Sequence, residues 1–253
     1  MPTPTYETQA ERDAAAAAFG AELAELAAAA GLSLPEPKEL AWCTAKFEGE
    51  QKHPVSSGRT DEPVPDQATV YWTRDGRTPY LHLRRGGVTL AMGRTPDLTE
   101  ILRGTSRWLA GADLTEIRRT TPFLHVEDWA LAHEQTPLAF VELEWRTRLQ
   151  DFDHGTHLSP DHVRDMWRAA FAEPRLRRLR PVSSHYRLWF STVPHFPFEN
   201  VGVAIDPRTD GTYQVWNRWR SRADDEHLPE PVTVATATEA AALAAAALPP
   251  ELH

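Results

Sequence analysis

The side chains with the most varied chemistry lie in one stretch, Arg175 to Ser191. Guanidinium groups bind carboxylates and phosphates through paired hydrogen bonds, so Arg177 and Arg180 could hold an anion at the entrance of a strand. Ser184 and His185 follow them and would complete such a site. In the alternative interpretation, the leucines of this stretch anchor a turn and the arginines are solvated or pair with the protein's own carboxylates.

The same stretch could also supply a nucleophile. His185 could take a proton from the hydroxyl of Ser184. The chain has no Gly-x-Ser-x-Gly motif, no acidic residue at a recognisable third position, no phosphate-binding glycine loop and no His-Glu-x-x-His motif. We therefore predict no catalytic residue, and an enzyme of unrecognised type centred on His185 and Ser184 stays as the alternative.

A second group of chemically active residues lies between Asp151 and His157. Asp153, His154 and His157 have side chains that bind zinc or iron, but known signatures place such ligands at a fixed helical offset, and Gly155 predicts a loop here. A polar loop is the favoured interpretation and a metal site the alternative. We predict no metal and no cofactor.

Aromatic residues gather in the second half of the chain. Strand alternation from Leu188 to Phe190 places Trp189 on the opposite sheet face. Trp216 and Trp219 lie in or beside a loop, where exposed aromatic side chains favour binding. Trp189, Trp216 and Trp219 are therefore added to the predicted binding residues.

The composition limits the class of partner. The chain has 253 residues, a formal net charge of −9 and a pI near 5.7, which argues against nucleic acid because phosphate binding needs clustered positive charge. Cys43 is the only cysteine, so an intrachain disulfide is excluded and a reduced, cytoplasmic setting is expected. No apolar run is long enough to predict a membrane span.

The elements that would position these residues form two similar sets. The pattern in each half predicts a helix, three short antiparallel strands and a closing helix. The expected fold is therefore α+β, with antiparallel sheets flanked by helices. Its two related α-β-β-β-α halves are expected at 1–150 and 151–253. Such an internal duplication makes a surface with a seam between its halves.

Some local expectations bear directly on the candidate residues. We expect a helix from Tyr6 to Ala30, a loop from Gly49 to Gln67 and a helix with Thr95 as its N-cap. Asp151 to Ser159 is predicted to be a hinge, and His185 to Thr192 to be the first strand of the second half.

The chain resembles an actinomycete family of unknown function that carries the label natural product biosynthesis protein. The resemblance extends from about Gly31 to Leu248 and concerns the family rather than any reaction. It rests on Gly93–Leu98, Trp108–Gly111, Thr121–Phe123, Val141–Arg146, Pro174–Pro181 and Ser184-His185. It implies a place in a specialised-metabolite pathway and gives no catalytic residues.

An acidic chain with aromatic and arginine-rich loops and no standard catalytic motif favours a non-catalytic binding or accessory protein. Its expected partner is a protein or a peptide, such as a ribosomal peptide or a carrier-bound intermediate, and a small molecule stays open. The alternatives are the enzyme centred on His185 and an immunity-type protein that blocks a toxin with an acidic face. Neither nucleic acid nor a membrane is expected as a partner.

Overall fold

Two units divide the chain in the computed structural model, which describes residues 8–55, 62–72, 78–154, 159–194, 196–217, 230–249 and 252. Unit 1 comprises Met1–Pro137 with His154–Thr156, and unit 2 comprises Leu138–Asp153 with His157–His253. The sequence predicts a division after residue 150. The structure instead groups residues 138–150 with unit 2, because Trp145 belongs to the hydrophobic core of that unit.

The described part of unit 1 contains an antiparallel sheet of six strands that lie side by side in chain order. These strands are β1 (Glu39–Ala41), β2 (Thr44–His53), β3 (Val64–Tyr71), β4 (Tyr80–Arg85), β5 (Val88–Arg94) and β6 (Leu124–Val126). The helices of this part are α1 (Gln9–Ala29), α2 (Leu98–Leu109), α3 (Leu114–Thr120) and α4 (Asp128–Gln135).

The helix ends in unit 1 follow from local hydrogen bonding. The hydroxyl of Thr8 accepts from the backbone of Glu11 and the Glu11 carboxylate accepts from the backbone of Thr8, a capping box that starts α1. Helix α2 begins after Asp97, whose carboxylate accepts from two backbone N–H groups. The N-cap expected at Thr95 was therefore placed two residues early.

The sheet of unit 1 is larger than expected. The loop predicted from Gly49 to Gln67 is shortened at both ends, since β2 continues to His53 and pairs there with Val64 at the start of β3. The side chains of this hairpin are mostly polar, so the sequence pattern did not indicate strands there. The tight turn expected at Gly86 and Gly87 between β4 and β5 is present, and both glycines have positive φ, at 57° and 80°.

An ionic network stabilises the sheet of unit 1. The Asp66 carboxylate is only 1% exposed and accepts from Nε and Nη2 of Arg85, at 3.0 and 2.9 Å. Arg85 also pairs with Glu134, and its guanidinium lies 4.1 Å from the centroid of the Trp108 ring. A buried carboxylate is tolerated only when it is paired in this way.

Along the chain, the described part of unit 2 has three helices before its strands and one helix after them. The first helices are α5 (Phe140–His154), α6 (Asp161–Ala172) and α7 (Pro174–Arg177), and α8 (Ala237–Ala246) closes the unit. Between them lie β7 (Arg180–Ser184), β8 (Arg187–Ser191), β9 (Asn200–Pro207), β10 (Tyr213–Asn217) and β11 (Val232–Val234). These strands form an antiparallel sheet in the order β11-β10-β9-β8-β7.

Helices cover one face of this sheet. Leu188 and Phe190 of β8 are fully buried in a core to which α5, α6, α7 and α8 all contribute. Trp145 of α5 belongs to the same core, and its indole N–H donates to the carbonyl of Leu179 at 3.0 Å. Helix α8 starts with a capping box between Thr236 and Glu239.

The α+β class with antiparallel sheets flanked by helices is confirmed. Both described sheets have more than the three strands expected in each half, because β1, β2 and β6 are added in unit 1, and β7 and β11 in unit 2. Among the described residues, no helix is both long enough and apolar enough to span a membrane.

Candidate functional site

The most unusual backbone in unit 2 lies at the turn between β7 and β8. His185 and Tyr186 have φ values of 51° and 68°, and they connect Ser184 to Arg187, which pair across the hairpin. Positive φ at both turn residues is typical of type I′ hairpins, which favour Asn and Gly. The strand predicted from His185 to Thr192 is therefore wrong at its start, because the turn lacks the residues that normally signal one.

This turn lines a pocket of about 370 Å³ within unit 2. The C-terminal part of α5 forms the first wall of the pocket. Helix α6 and the segment before it form the second wall, and the β7–β8 hairpin forms the third. The lining residues are Arg148, Asp151, Phe152, Ser159, Val163, Trp167, Ser183, Ser184, His185 and Tyr186. Phe152, Val163 and Trp167 give the pocket an apolar floor, and most of the other lining residues are polar.

The floor of the pocket is mainly aromatic. Trp167 is 2% exposed and its ring packs against Phe152, with centroids 5.6 Å apart, and edge-on against Trp145 at 5.5 Å. The guanidinium of Arg148 lies over the Trp167 ring, 5.6 Å from its centroid. A cation over an indole face gains electrostatic stabilisation, so the floor also holds Arg148 at the pocket wall.

The rim of the pocket contains the predicted serine and histidine. Oγ of Ser184 lies 2.9 Å from Nδ1 of His185, which is hydrogen-bonding distance. Both residues are exposed, and among the described residues no carboxylate lies within ion-pair distance of His185. The pair therefore resembles a nucleophile and base without the third group that orients the base in serine hydrolases.

Arg177 and Arg180 do not line this pocket. The guanidinium of Arg180 lies between two rings, 5.0 Å from the centroid of Phe140 and 4.8 Å from that of Phe198. It also donates to the carbonyl of Pro194 and to Glu144. Arg180 thus holds the loop after β8, and exposed Arg177 lies over the Phe171 ring at 5.5 Å.

The predicted tryptophans do not line the pocket either. Trp189 and Trp216 both pair with Ala204 of β9, so they share the sheet face opposite to the helices of unit 2. The guanidinium of Arg187 lies 4.7 Å from the Trp216 centroid and donates to Asp206 at 2.8 Å. Trp219 lies outside the described residues.

The residues considered for a metal site have other partners. Asp153 pairs with Arg168 on α6, and Nε2 of His154 lies 2.9 Å from Oε1 of Glu127. The loop expected from Asp151 is helical as far as His154, and His157 lies outside the described residues. No group of three or more potential metal ligands occurs in the part of the chain that the structure describes.

Two histidines stack in unit 1. The rings of His125 and His154 are nearly parallel, with centroids 4.1 Å apart. Burial and, next, the neighbouring His154 lower the pKa of His125 from its ordinary value. The nitrogen lone pairs of the two rings lie in nearly parallel planes and do not converge on one metal position. The geometry therefore favours packing over shared metal ligation for these two histidines.

The pocket lies in the part of the chain that matches a protein-family model. Residues 139–253 match the model of DUF6193, a family of unknown function. No curated protein and no solved structure matches the chain. The DUF6193 match contains every residue that lines the pocket, and it leaves out the motifs of unit 1 that contribute to the resemblance noted above.

Sequence reasoning found Ser184 and His185 but missed most of the pocket. The signal that could have found the rest is helical spacing: Arg148, Asp151 and Phe152 are three and four residues apart on α5. Val163 and Trp167 are four apart on α6, so each set shares one helix face. The face on α5 combines charged and aromatic residues, whereas the face on α6 is apolar, so the spacing indicates which residues share a face but not that they line a pocket.

Proposed function

We propose that this protein is a non-catalytic binding or accessory protein, and that unit 2 binds a peptide or a small molecule in the pocket between α5, α6 and the β7–β8 hairpin. One observation carries the proposal. Two bulky residues, His185 and Tyr186, are held at positive φ in the turn that forms the rim. Strained backbone of this kind costs free energy and is concentrated at functional sites.

The electrostatics of the chain agree with this proposal. The net charge is −9, and the pocket nevertheless has the cation of Arg148 in its wall beside an apolar floor. A ligand with an apolar body and a polar end would fill such a site. The resemblance to a natural product biosynthesis family suggests a biosynthetic intermediate as that ligand, in which case the protein would serve its pathway by holding the intermediate.

The test is a ligand-observed NMR screen of the full chain against a panel of blocked amino acids, short peptides and aromatic fragments. We expect binding by members that combine an apolar group with a polar group, and we expect the variant Tyr186→Gly to weaken it. Glycine relieves the backbone strain, so a loss of binding in a variant that is still folded would come from the missing rim side chain. Absence of binding by every member, or identical binding by Tyr186→Gly, would contradict the proposal.

A second function, an enzyme centred on Ser184 and His185, is supported by the 2.9 Å contact between Ser184 Oγ and His185 Nδ1. A base in hydrogen-bond contact can activate a serine hydroxyl. A fluorophosphonate probe, which forms a covalent bond to activated serines, distinguishes the two functions. Labelling of the wild type that is lost in both Ser184→Ala and His185→Ala would favour the enzyme, and no labelling would favour binding alone.

A further inference from the structure

We infer that the pocket of unit 2 recognises an α-carboxylate next to an apolar side chain, as in a free amino acid or the C-terminal residue of a peptide. This inference rests on the proposed binding function and names the ligand class for the same site. It follows from the state of Arg148, from the size and floor of the pocket, and from the acceptors on its rim.

Arg148 is the first part of the argument. Its neighbours are ion-paired: Arg146 with Glu142 on the same helix, and Arg168 with Asp153. Arg148 itself is exposed, lines the pocket and has no carboxylate within ion-pair distance among the described residues. In a chain with more acidic than basic residues, a guanidinium left without a carboxylate at a pocket wall is suited to an anionic ligand group.

The floor decides what the rest of the ligand is. The apolar lining consists of half-buried Phe152 and of Trp167 and Val163, which are 2% and 1% exposed. Stacking of Arg148 over Trp167 keeps the cation close to this lining. The volume of about 370 Å³ lies near the lower end of the range of small-molecule sites. A ligand as small as one amino acid is in keeping with that size.

The rim supplies groups for the atoms beside the carboxylate. Asp151 lies one turn of α5 beyond Arg148, so its carboxylate and the guanidinium lie on the same helix face. Ser183 lines the wall that the β7–β8 hairpin forms. A free amino acid and the C-terminal residue of a peptide share the carboxylate chemistry and differ in the charge of the nitrogen beside it.

The experiment is calorimetric titration of the full chain with four related probes: L-phenylalanine, N-acetyl-L-phenylalanine, L-phenylalaninamide and N-acetyl-L-phenylalaninamide. We expect the two carboxylates to bind at least about tenfold more tightly than their amides, the loss expected for one charge-assisted hydrogen-bonded pair. Arg148→Gln should remove that preference. Arg146→Gln, which changes a paired arginine on the same helix outside the pocket, should preserve it.

The outcomes separate this inference from the proposed function. If the amides bind as tightly as the acids, or if Arg148→Gln leaves the preference unchanged, the carboxylate inference is wrong while the pocket still binds ligands. If none of the four probes binds but neutral fragments of the panel do, the inference is also wrong and the binding function stands. Tighter binding of N-acetyl-L-phenylalanine than of L-phenylalanine would identify a peptide C-terminus as the source, and the reverse would identify a free amino acid.

Discussion

Replacing Tyr186 by glycine should stabilise the protein while it weakens ligand binding. Tyr186 has a φ of 68° and its side chain is 54% exposed, so its ring contributes little packing. An L-residue in this left-handed region costs about 1–2 kcal/mol, whereas glycine adds about 0.5–1 kcal/mol of chain entropy to be lost on folding. The difference predicts a gain of about 0.5–1 kcal/mol in the free energy of unfolding for Tyr186→Gly.

A matched control exists in the same unit. Gly211 has a φ of 85°, and a Cβ built there would meet nothing within 4 Å, so Gly211→Ala isolates the cost of positive φ. Gly211→Ala should lower the free energy of unfolding by about as much as Tyr186→Gly raises it. Calorimetric scans of the full chain should show Tm shifts of about 2–4 °C per kcal/mol, upward for Tyr186→Gly and downward for Gly211→Ala.

An unchanged or lower Tm for Tyr186→Gly, alongside a clear loss in Gly211→Ala, would refute the reasoning. It would mean that the tyrosine side chain stabilises the turn by at least as much as its backbone conformation costs. The hairpin would then be a structural device, and the strain could not be used as an argument for function.

Three further predictions concern other parts of the chain. Arg85→Met should cost about 3–5 kcal/mol, because it removes the guanidinium from the buried carboxylate of Asp66 and leaves His53, 3.3 Å away, as its described ion-pair neighbour. Arg118→Met at an exposed pair should cost less than about 1 kcal/mol in the same urea unfolding assay. Arg180→Lys should release the loop after β8, seen as faster chymotrypsin cleavage there, and should leave ligand binding unchanged. Burial lowers the pKa of His133 in the folded protein. As the pH drops below about 6.5, the unfolded chain therefore binds a proton at His133 more readily than the folded chain, and the free energy of unfolding falls. The wild type should therefore lose more stability than His133→Gln between about pH 7.5 and about pH 5.5, and equal losses would contradict the assignment.

Local signals in the sequence predicted much of the fold. Helix α1 (Gln9–Ala29) lies within the helix expected from Tyr6 to Ala30, and α2 follows closely after the N-cap expected at Thr95. The second half of β2 was not predicted, because it carries the polar run Glu48 to His53 and is recognised as a strand only through its pairing with β3. Pairing between distant segments is a tertiary property that a local pattern does not contain.

The candidate site was predicted only in part, for a related reason. Ser184 and His185 attracted attention by residue type, yet their position depends on a turn whose residues, His185 and Tyr186, are atypical for positive φ. The arginine run pointed to Arg180, which packs between two phenylalanine rings. The arginine that lines the pocket is Arg148 on α5, which has no carboxylate within ion-pair distance among the described residues. Residue type indicates which chemistry a side chain could do, but only packing decides which arginine is left for a ligand.

The most direct test of the central claim is a ¹H–¹⁵N NMR titration of the full chain with N-acetyl-L-phenylalanine, in which the Trp167 indole signal is assigned with Trp167→Phe. The pocket in unit 2 predicts saturable shifts at the Trp167 indole N–H and at the backbone of Ser184 and His185, and their loss in Arg148→Gln. Saturable shifts that avoid these three residues, or the absence of any shift, would contradict the claim that this pocket binds the ligand.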